Sequence, residues 1–261
     1  VCKAGLEAVA AAADNPKIFQ LYVRGDADWV DDHVRRAIAT GYYAFCLTVD
    51  LDHYGRRERD ILKRHMSTSR QTAAHEVFQE RLSWDDVKRI KDKFDIPLIL
   101  KGIATAEDAR LAIEHGVEGI YVSNHGGRQL DCGRGTIEVL PEVVAEVDGR
   151  AEIIVDGGFM RGTDIVKAMI LGADAVGIGR LQGFGAAAGG SMYGTVARAR
   201  VSVAAAAGLL RERVRLCGTL LHPADLDGAL LLVAAFAHQS HADAPSSEVQ
   251  TVKLTLTGLS C

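Results

Sequence analysis

Short runs of apolar and β-branched residues recur along the chain, most followed by a stretch with helical spacing of apolar positions. Six runs stand out, at 18–23, 44–49, 97–100, 119–122, 152–155 and 173–178. Each is apolar nearly throughout instead of alternating, as strands are when both faces of their sheet are covered. Between them, 29–39, 106–114, 137–147 and 163–171 carry amphipathic helix patterns. Gly41, Gly116 and Gly172 stand where helix C-caps belong, and Ser83, Thr105 and Thr163 where N-caps belong. Strand–helix alternation at this spacing predicts parallel strands joined by crossover helices, and a (β/α)₈ TIM barrel is their natural closure. Six strands are two short of that barrel, so the expectation is a TIM barrel lacking its first two strands. It is assigned to residues 1–222. Residues 223–261 are read as a divergent C-terminal tail, although 249–257 alternates in strand fashion.

Composition changes this picture only at its edges. A chain of 261 residues suits one such barrel, and a net charge of −4 offers no basic footprint for nucleic acid. The longest apolar run, 229–237, falls well short of the ~20 residues a membrane span needs. The five cysteines form no C-x-x-C pair and read as reduced thiols of a cytoplasmic protein. No metal site is expected. The stretch 55–82 lacks apolar periodicity and holds seven Arg or Lys against four acidic residues. It reads either as a solvated loop or as a lid over the barrel mouth.

The candidate chemistry sits where the strands end, because carboxyl ends of parallel barrel strands converge on one face. Gln20 and Tyr22, Thr48 and Asp50, Lys101, Ser123 and His125, Asp156-Gly157-Gly158, and Gly179-Arg180 all stand there. His125 follows its strand closely, precedes two glycines, and has Arg128 three residues on. An imidazole with an ordinary pKa near ~6.5 suits general-base work, against the competing reading of a structural histidine. Asp50 stands at another strand end, where a carboxylate can orient that imidazole and support its charge. Arg57 and Arg128 are candidate clamps, since a guanidinium grips a carboxylate with two parallel donors. For Arg57 the rival reading is a surface ion pair among Arg56, Glu58 and Arg59. Lys101 suits neutralisation of an anion formed in turnover, phosphate binding, a Schiff base or a plain surface position, and spacing does not rank these. The glycines at 157, 158 and 179, with Arg180, point to a phosphate-bearing ligand at the last two strand ends. No G-x-G-x-x-G follows a strand, so a Rossmann module is not supported.

From Phe19 to about Gly190 the chain resembles the FMN-dependent 2-hydroxy acid oxidases and dehydrogenases, the family of glycolate oxidase, lactate oxidase and dehydrogenase, and mandelate dehydrogenase. The matching blocks are Phe19-Gln20-Leu21-Tyr22-Val23, Leu47-Thr48-Val49-Asp50, Gly55-Arg56-Arg57-Glu58, Leu100-Lys101-Gly102, Asp156-Gly157-Gly158 and Gly179-Arg180. The block from Ser123 to Asp131, Ser-Asn-His-Gly-Gly-Arg-Gln-Leu-Asp, is specific by itself. The resemblance implies FMN as cofactor, with Gln20, Thr48 and Ser123 at the flavin ring system and Lys101 by its N1/O2 edge. It implies the 156–158 and 179–180 loops at the ribityl phosphate. It implies Tyr22, Arg57 and Arg128 as substrate-holding groups and His125, supported by Asp50, as the base. The substrate would be a small 2-hydroxy acid, the second partner an electron acceptor (oxygen, quinone or a cytochrome), and the assembly a homotetramer.

Departures from the family pattern qualify the transfer. Phe159-Met160-Arg161 replaces a pair of arginines, so Arg161 and Arg180 are expected to compensate for Met160, and Leu181 stands where relatives carry proline. The helical segment and two strands that precede the Phe-Gln-Leu-Tyr strand in relatives are not in this sequence, which reads as a fragment of a longer product. The competing readings are a catalytically inactive barrel fragment or scaffold, and another FMN- or phosphate-binding barrel enzyme. The pairing of His125 with Arg128 argues against the last.

Overall fold

Strand residues in this protein alternate between two interiors, and that alternation sets both the core and the site. The computed structural model describes residues 5–12, 14–52, 55, 57–64, 76–130, 132–181 and 184, together with strand segments 215–216, 230–236 and 254–257. Helix α1 (Leu6–Ala12) leads into β1 (Lys17–Leu21), α2 (Ala27–Ala39) and β2 (Ala44–Thr48). The short helices α3 (Glu58–Leu62) and α4 (Glu76–Glu80) precede α5 (Trp84–Lys93) and β3 (Leu98–Ile103). Then come α6 (Ala106–Glu114), β4 (Gly119–Val122), α7 (Thr136–Val147), β5 (Glu152–Val155), α8 (Gly162–Ile170) and β6 (Ala175–Ile178). Strands β7 (Arg215–Leu216), β8 (Leu230–Phe236) and β9 (Leu254–Thr257) follow.

Strands β1 to β6 lie side by side in chain order, all parallel, as a curled sheet flanked by helices. This is the partial TIM barrel expected from the strand–helix rhythm. The sheet's edges are covered: β9 runs parallel to β1, and β8 pairs antiparallel with both β6 and β9. One set of strand side chains, including Phe45, Leu47, Leu98, Leu100, Ile120 and Val155, packs against the helices. The other set points into the curl, where Ile18, Ala44, Cys46, Ile99, Tyr121, Ile154 and Ala175 form a second, smaller cluster. Two apolar faces on one sheet explain why these runs do not alternate in polarity.

Helix boundaries follow their caps. Gly41, Gly116 and Gly172 all have positive φ (75°, 72° and 105°), the left-handed turn that ends a helix and that glycine adopts without strain. Thr105 Oγ1 accepts from the Asp108 N–H at 3.1 Å, and the Ser83 N–H donates to Asp86 Oδ2 at 3.1 Å. The expected cap at Thr163 is corrected: α8 begins at Gly162, and Arg161 holds the cap position. Asp164 decides this, because its carboxylate accepts the backbone N–H groups of both Met160 and Arg161 and pulls the start back. Among the described residues no helix is long and apolar enough to cross a membrane.

Helices α2 and α5 are joined by a buried charge. The Asp31 side chain is 2% exposed and pairs with both Arg89 and Lys93, which hold its carboxyl below the usual range against the opposing effect of burial. Its partners keep 29% and 48% of their side-chain surface, so they can rehydrate if the carboxylate is removed. Asp31→Ala is therefore expected to lower stability by about 1–3 kcal/mol, between the values of exposed and fully buried pairs. Urea unfolding followed by circular dichroism reads this; an unchanged midpoint would show that the pair contributes nothing net.

Candidate active site

Following the inward-facing row along the strands, the side chains turn from apolar to polar at the carboxyl ends. Above the apolar cluster stand Gln20, Thr48, Lys101 and Ser123, all at most 3% exposed, and beside them Asp156 just past β5. Gln20 Nε2 donates to Thr48 Oγ1 at 2.7 Å, which ties β1 to β2 and leaves Gln20 Oε1 buried without a partner among the described residues. Lys101 Nζ donates to Ser123 Oγ at 3.0 Å and lies 3.6 Å from Asp156 Oδ2. Burial works against the ammonium, yet the carboxylates of Asp156 and Asp50 overcome it and hold the Lys101 pKa above its ordinary value. Lys101 is thus a permanent cation within the barrel.

A bulge helps to place it. The β3–β4 register shifts between Lys101 and Ile103, and Gly102 sits at φ +117°. A Cβ at 102 would lie 2.6 Å from Asp50 Cβ, so only glycine lets β3 pass this close to the end of β2.

The turn after β4 presents the histidine. Gly127 N–H donates to Asn124 O at 2.9 Å, with His125 (φ 56°) and Gly126 (φ 65°) between them, the positive-φ pair of a type I′ turn. For a histidine this left-handed conformation costs on the order of 1 kcal/mol or more, strain that recurs where a side chain must be aimed. Ser123 Oγ accepts the His125 N–H at 3.2 Å and so links the turn to Lys101. The imidazole Nδ1 stands 3.0 Å and 3.2 Å from the two Asp50 carboxylate oxygens. Since a carboxylate only accepts, this contact assigns the proton to Nδ1 and leaves Nε2 as the lone-pair nitrogen. Nε2 lies 3.4 Å from the Tyr22 hydroxyl. Burial raises the Asp50 carboxyl, but the His125 hydrogen bond and the Lys101 charge prevail and keep it below the ordinary range.

Arginines and glycines complete the rim. Arg57 Nε donates to Arg128 O at 3.3 Å, and Arg128 Nη2 lies 3.6 Å from Asp60 Oδ2. Arg180 Nη2 donates to Gly126 O at 3.1 Å, where a Cβ on residue 126 would stand 2.7 Å from that nitrogen. These groups line a cavity of about 330 Å³ together with Lys101, His125, Asp156, Gly157, Gly158, Met160, Gly177 and Gly179. Thr136 Oγ1 donates to the Asp156 carbonyl and fastens the start of α7 to the end of β5.

The structure thus brings together at one end of the sheet all the expected site residues save one. Arg161 is exposed, caps α8, and is not among the cavity-lining residues. The start of 55–82 lies against the segment that follows His125: a Cβ at Gly55 would stand 2.1 Å from Gln129 O, and Asp60 reaches Arg128. Gln79, in the same stretch, was not singled out by the sequence. It is 4% exposed, accepts the Val23 N–H at 2.9 Å and donates to Thr48 O at 2.8 Å, clamping the ends of β1 and β2. One glutamine in a polar, aperiodic stretch carries no sequence signal for that role.

A curled parallel sheet with glycine loops, a buried lysine and an aspartate-held histidine at the strands' carboxyl ends defines a phosphate-cofactor-binding α/β barrel. The model of the FMN-dependent dehydrogenase family matches residues 1–199, and the chain belongs to that family. It is 41% identical over 195 residues to an L-lactate oxidase of Nostoc sp., covering 66% of this chain and 53% of that protein. It is 41% identical over 237 residues to a peroxisomal (S)-2-hydroxy-acid oxidase of Oryza sativa subsp. japonica, covering 83% and 63%. A solved structure of mandelate oxidase with (S)-2-phenylpropionate superposes with a TM-score of 0.64 at 44% identity, over 70% of this chain and 55% of that one. The chain therefore spans little more than half the length of several relatives that it matches. The residues present fit the family's FMN: Gln20 Oε1 is a buried acceptor with no partner, Lys101 a buried cation, and Gly157 and Gly158 (φ 101° and 81°) leave their backbone open to the cavity.

The depressed Asp50 pKa has a definite sign. The unfolded chain binds this proton more readily, so Asp50 contributes stability above its unfolded pKa of 3.8 and loses it as pH falls through the lower folded value. Asp50→Asn is expected to be less stable near neutrality, with the gap to wild type closing below about pH 4. Urea midpoints measured across pH test this; parallel curves would remove the ionic part of the His125–Asp50 contact.

Proposed function

We propose that the protein takes part in FMN-dependent oxidation of a 2-hydroxy acid of L configuration to the 2-oxo acid, with His125 as the base. The observation that carries this reading is the imidazole with Nδ1 held by Asp50 and Nε2 turned to the Tyr22 hydroxyl, on a cavity that also bears Arg128. Arg128 and Arg57 grip the substrate carboxylate, and Tyr22 contacts its hydroxyl or carboxylate, which brings the alcohol within reach of Nε2. His125 takes the hydroxyl proton, and Asp50 stabilises the imidazolium so formed. When bound, FMN supplies the two-electron acceptor that takes the α-hydrogen with its electron pair. Lys101 would offset the negative charge that those two electrons bring. Gln20, Thr48 and Ser123 would hold the ring system, and the backbone at 156–158 and 179, with Arg180, would hold the phosphate arm. Arg161, exposed and off the cavity, is given no part in this reading.

Two variants test the assignment. His125→Gln is expected to retain FMN through desalting yet to slow anaerobic flavin bleaching by L-lactate, glycolate or L-mandelate by roughly 10²- to 10⁴-fold. Near-normal bleaching in that variant would refute the base. Arg128→Met is expected to weaken turnover of the acids far more than that of the corresponding hydroxy esters, since a bidentate charge contact is lost. Equal losses on acid and ester would remove the clamp. A wild-type chain that emerges colourless after incubation with FMN would sink the reading as a whole.

A further inference from the structure

Beneath the cavity lies a polar group that the proposed chemistry leaves idle. Tyr121, in the middle of β4, points into the curl and is fully buried at 0% exposure. Its hydroxyl has no hydrogen-bond partner among the described residues, and neither has Asp156 Oδ1. Leaving two such atoms unpaired in the same interior costs on the order of 1–3 kcal/mol each, so the arrangement demands a reason. The two groups flank the same glycine: a Cβ at 177 would stand 2.0 Å from the Tyr121 hydroxyl and 3.1 Å from Asp156 Cβ. Gly177 therefore opens the space in which phenol and carboxylate meet. Lys101 Nζ completes the group, 5.1 Å from the Tyr121 ring centroid and 3.6 Å from Asp156 Oδ2.

We propose that Tyr121 is a positioning residue of the flavin site, its hydroxyl donating to Asp156 Oδ1 and fixing the carboxylate that balances Lys101. The inference rests on the reading of the cavity as an FMN site. Burial and the neighbouring Asp156 carboxylate raise the phenol's pKa well above its usual value, so it stays a neutral donor. The carboxylate then divides its charge between two partners: Oδ2 faces the ammonium and Oδ1 takes the phenol proton. Without the phenol, Asp156 pairs more fully with Lys101 and less positive field reaches the cavity. The hydroxyl, which touches neither cofactor nor substrate in this scheme, acts through Asp156 and Lys101 alone.

Tyr121→Phe keeps the ring and its volume and removes only the oxygen. In the FMN-loaded full chain, affinity for sulfite, an anion that adds to oxidised flavin where the site favours negative charge, is expected to fall about 3- to 10-fold. Unchanged sulfite affinity would overturn the proposal, because a ring that merely fills the barrel moves nothing. A double-mutant cycle of Tyr121→Phe with Asp156→Asn, read by urea unfolding of the flavin-free chain, tests the bond without flavin. Coupling between the two changes supports it, and additive losses overturn it. A wild-type chain that takes up no FMN would sink the functional reading, while the cycle still decides whether phenol and carboxylate are bonded.

Discussion

An ammonium group buried inside a barrel has to be answered by negative charge, and much of this site can be read as that answer. Lys101 is 3% exposed, and a charge taken that far from bulk water is costly unless it is paired. Asp156 and Asp50 supply carboxylates, and Ser123 supplies a hydroxyl oxygen. Asp50 then meets His125, which fixes the imidazole's tautomer and aims its other nitrogen at the cavity. The same cation suits the cavity above it to an electron-rich ligand. One buried positive charge thus connects the core, the imidazole and the cavity.

The inward face of the sheet grades from apolar to polar towards the carboxyl ends of its strands. Inward residues early in the strands, such as Ile18 and Ala44, are apolar; towards the carboxyl ends of their strands they become Gln20, Thr48, Lys101, Ser123 and, just past β5, Asp156. The apolar layer gives a close-packed base on which polar groups hold fixed positions, and fixed positions are what electrostatic catalysis needs. Strain is concentrated at the rim. His125 adopts a left-handed backbone, and Gly102, Gly126 and Gly157 stand where a side chain would collide with Asp50, Arg180 or Thr136.

The strand–helix rhythm and the strand-end residues were legible because they are local. A buried strand of four to six residues announces itself by composition, and the inward residue at its end follows from counting. What was not legible depends on partners distant in sequence. Gln79 is structural because Val23 and Thr48 lie against it, 56 and 31 residues away. Tyr121 reads as ordinary core until Gly177 and Asp156 are seen beside it. Thr163 had a good cap residue's chemistry but lost the position to Arg161, because Asp164 binds two backbone N–H groups ahead of it. Arg161, expected from the family pattern to compensate for Met160, is exposed at the cap position of α8 and is not among the cavity-lining residues.

From β1 to β6 strand order in space equals strand order in the chain, which has a consequence for how the site comes into being during synthesis. Charges emerge from the ribosome in the order Asp50, Lys101, His125, Asp156. If the strands dock in that order, Asp50 is already in place when β3 brings Lys101 beside β2. His125 arrives next, and the second carboxylate joins with β5. At no stage of such an assembly does the growing barrel enclose two like charges without a counterion between them. A chain that reversed the positions of Lys101 and His125 would hold the same groups when finished, but its half-built barrel would rely on an imidazole, charged or not with the surrounding pH, to compensate Asp50.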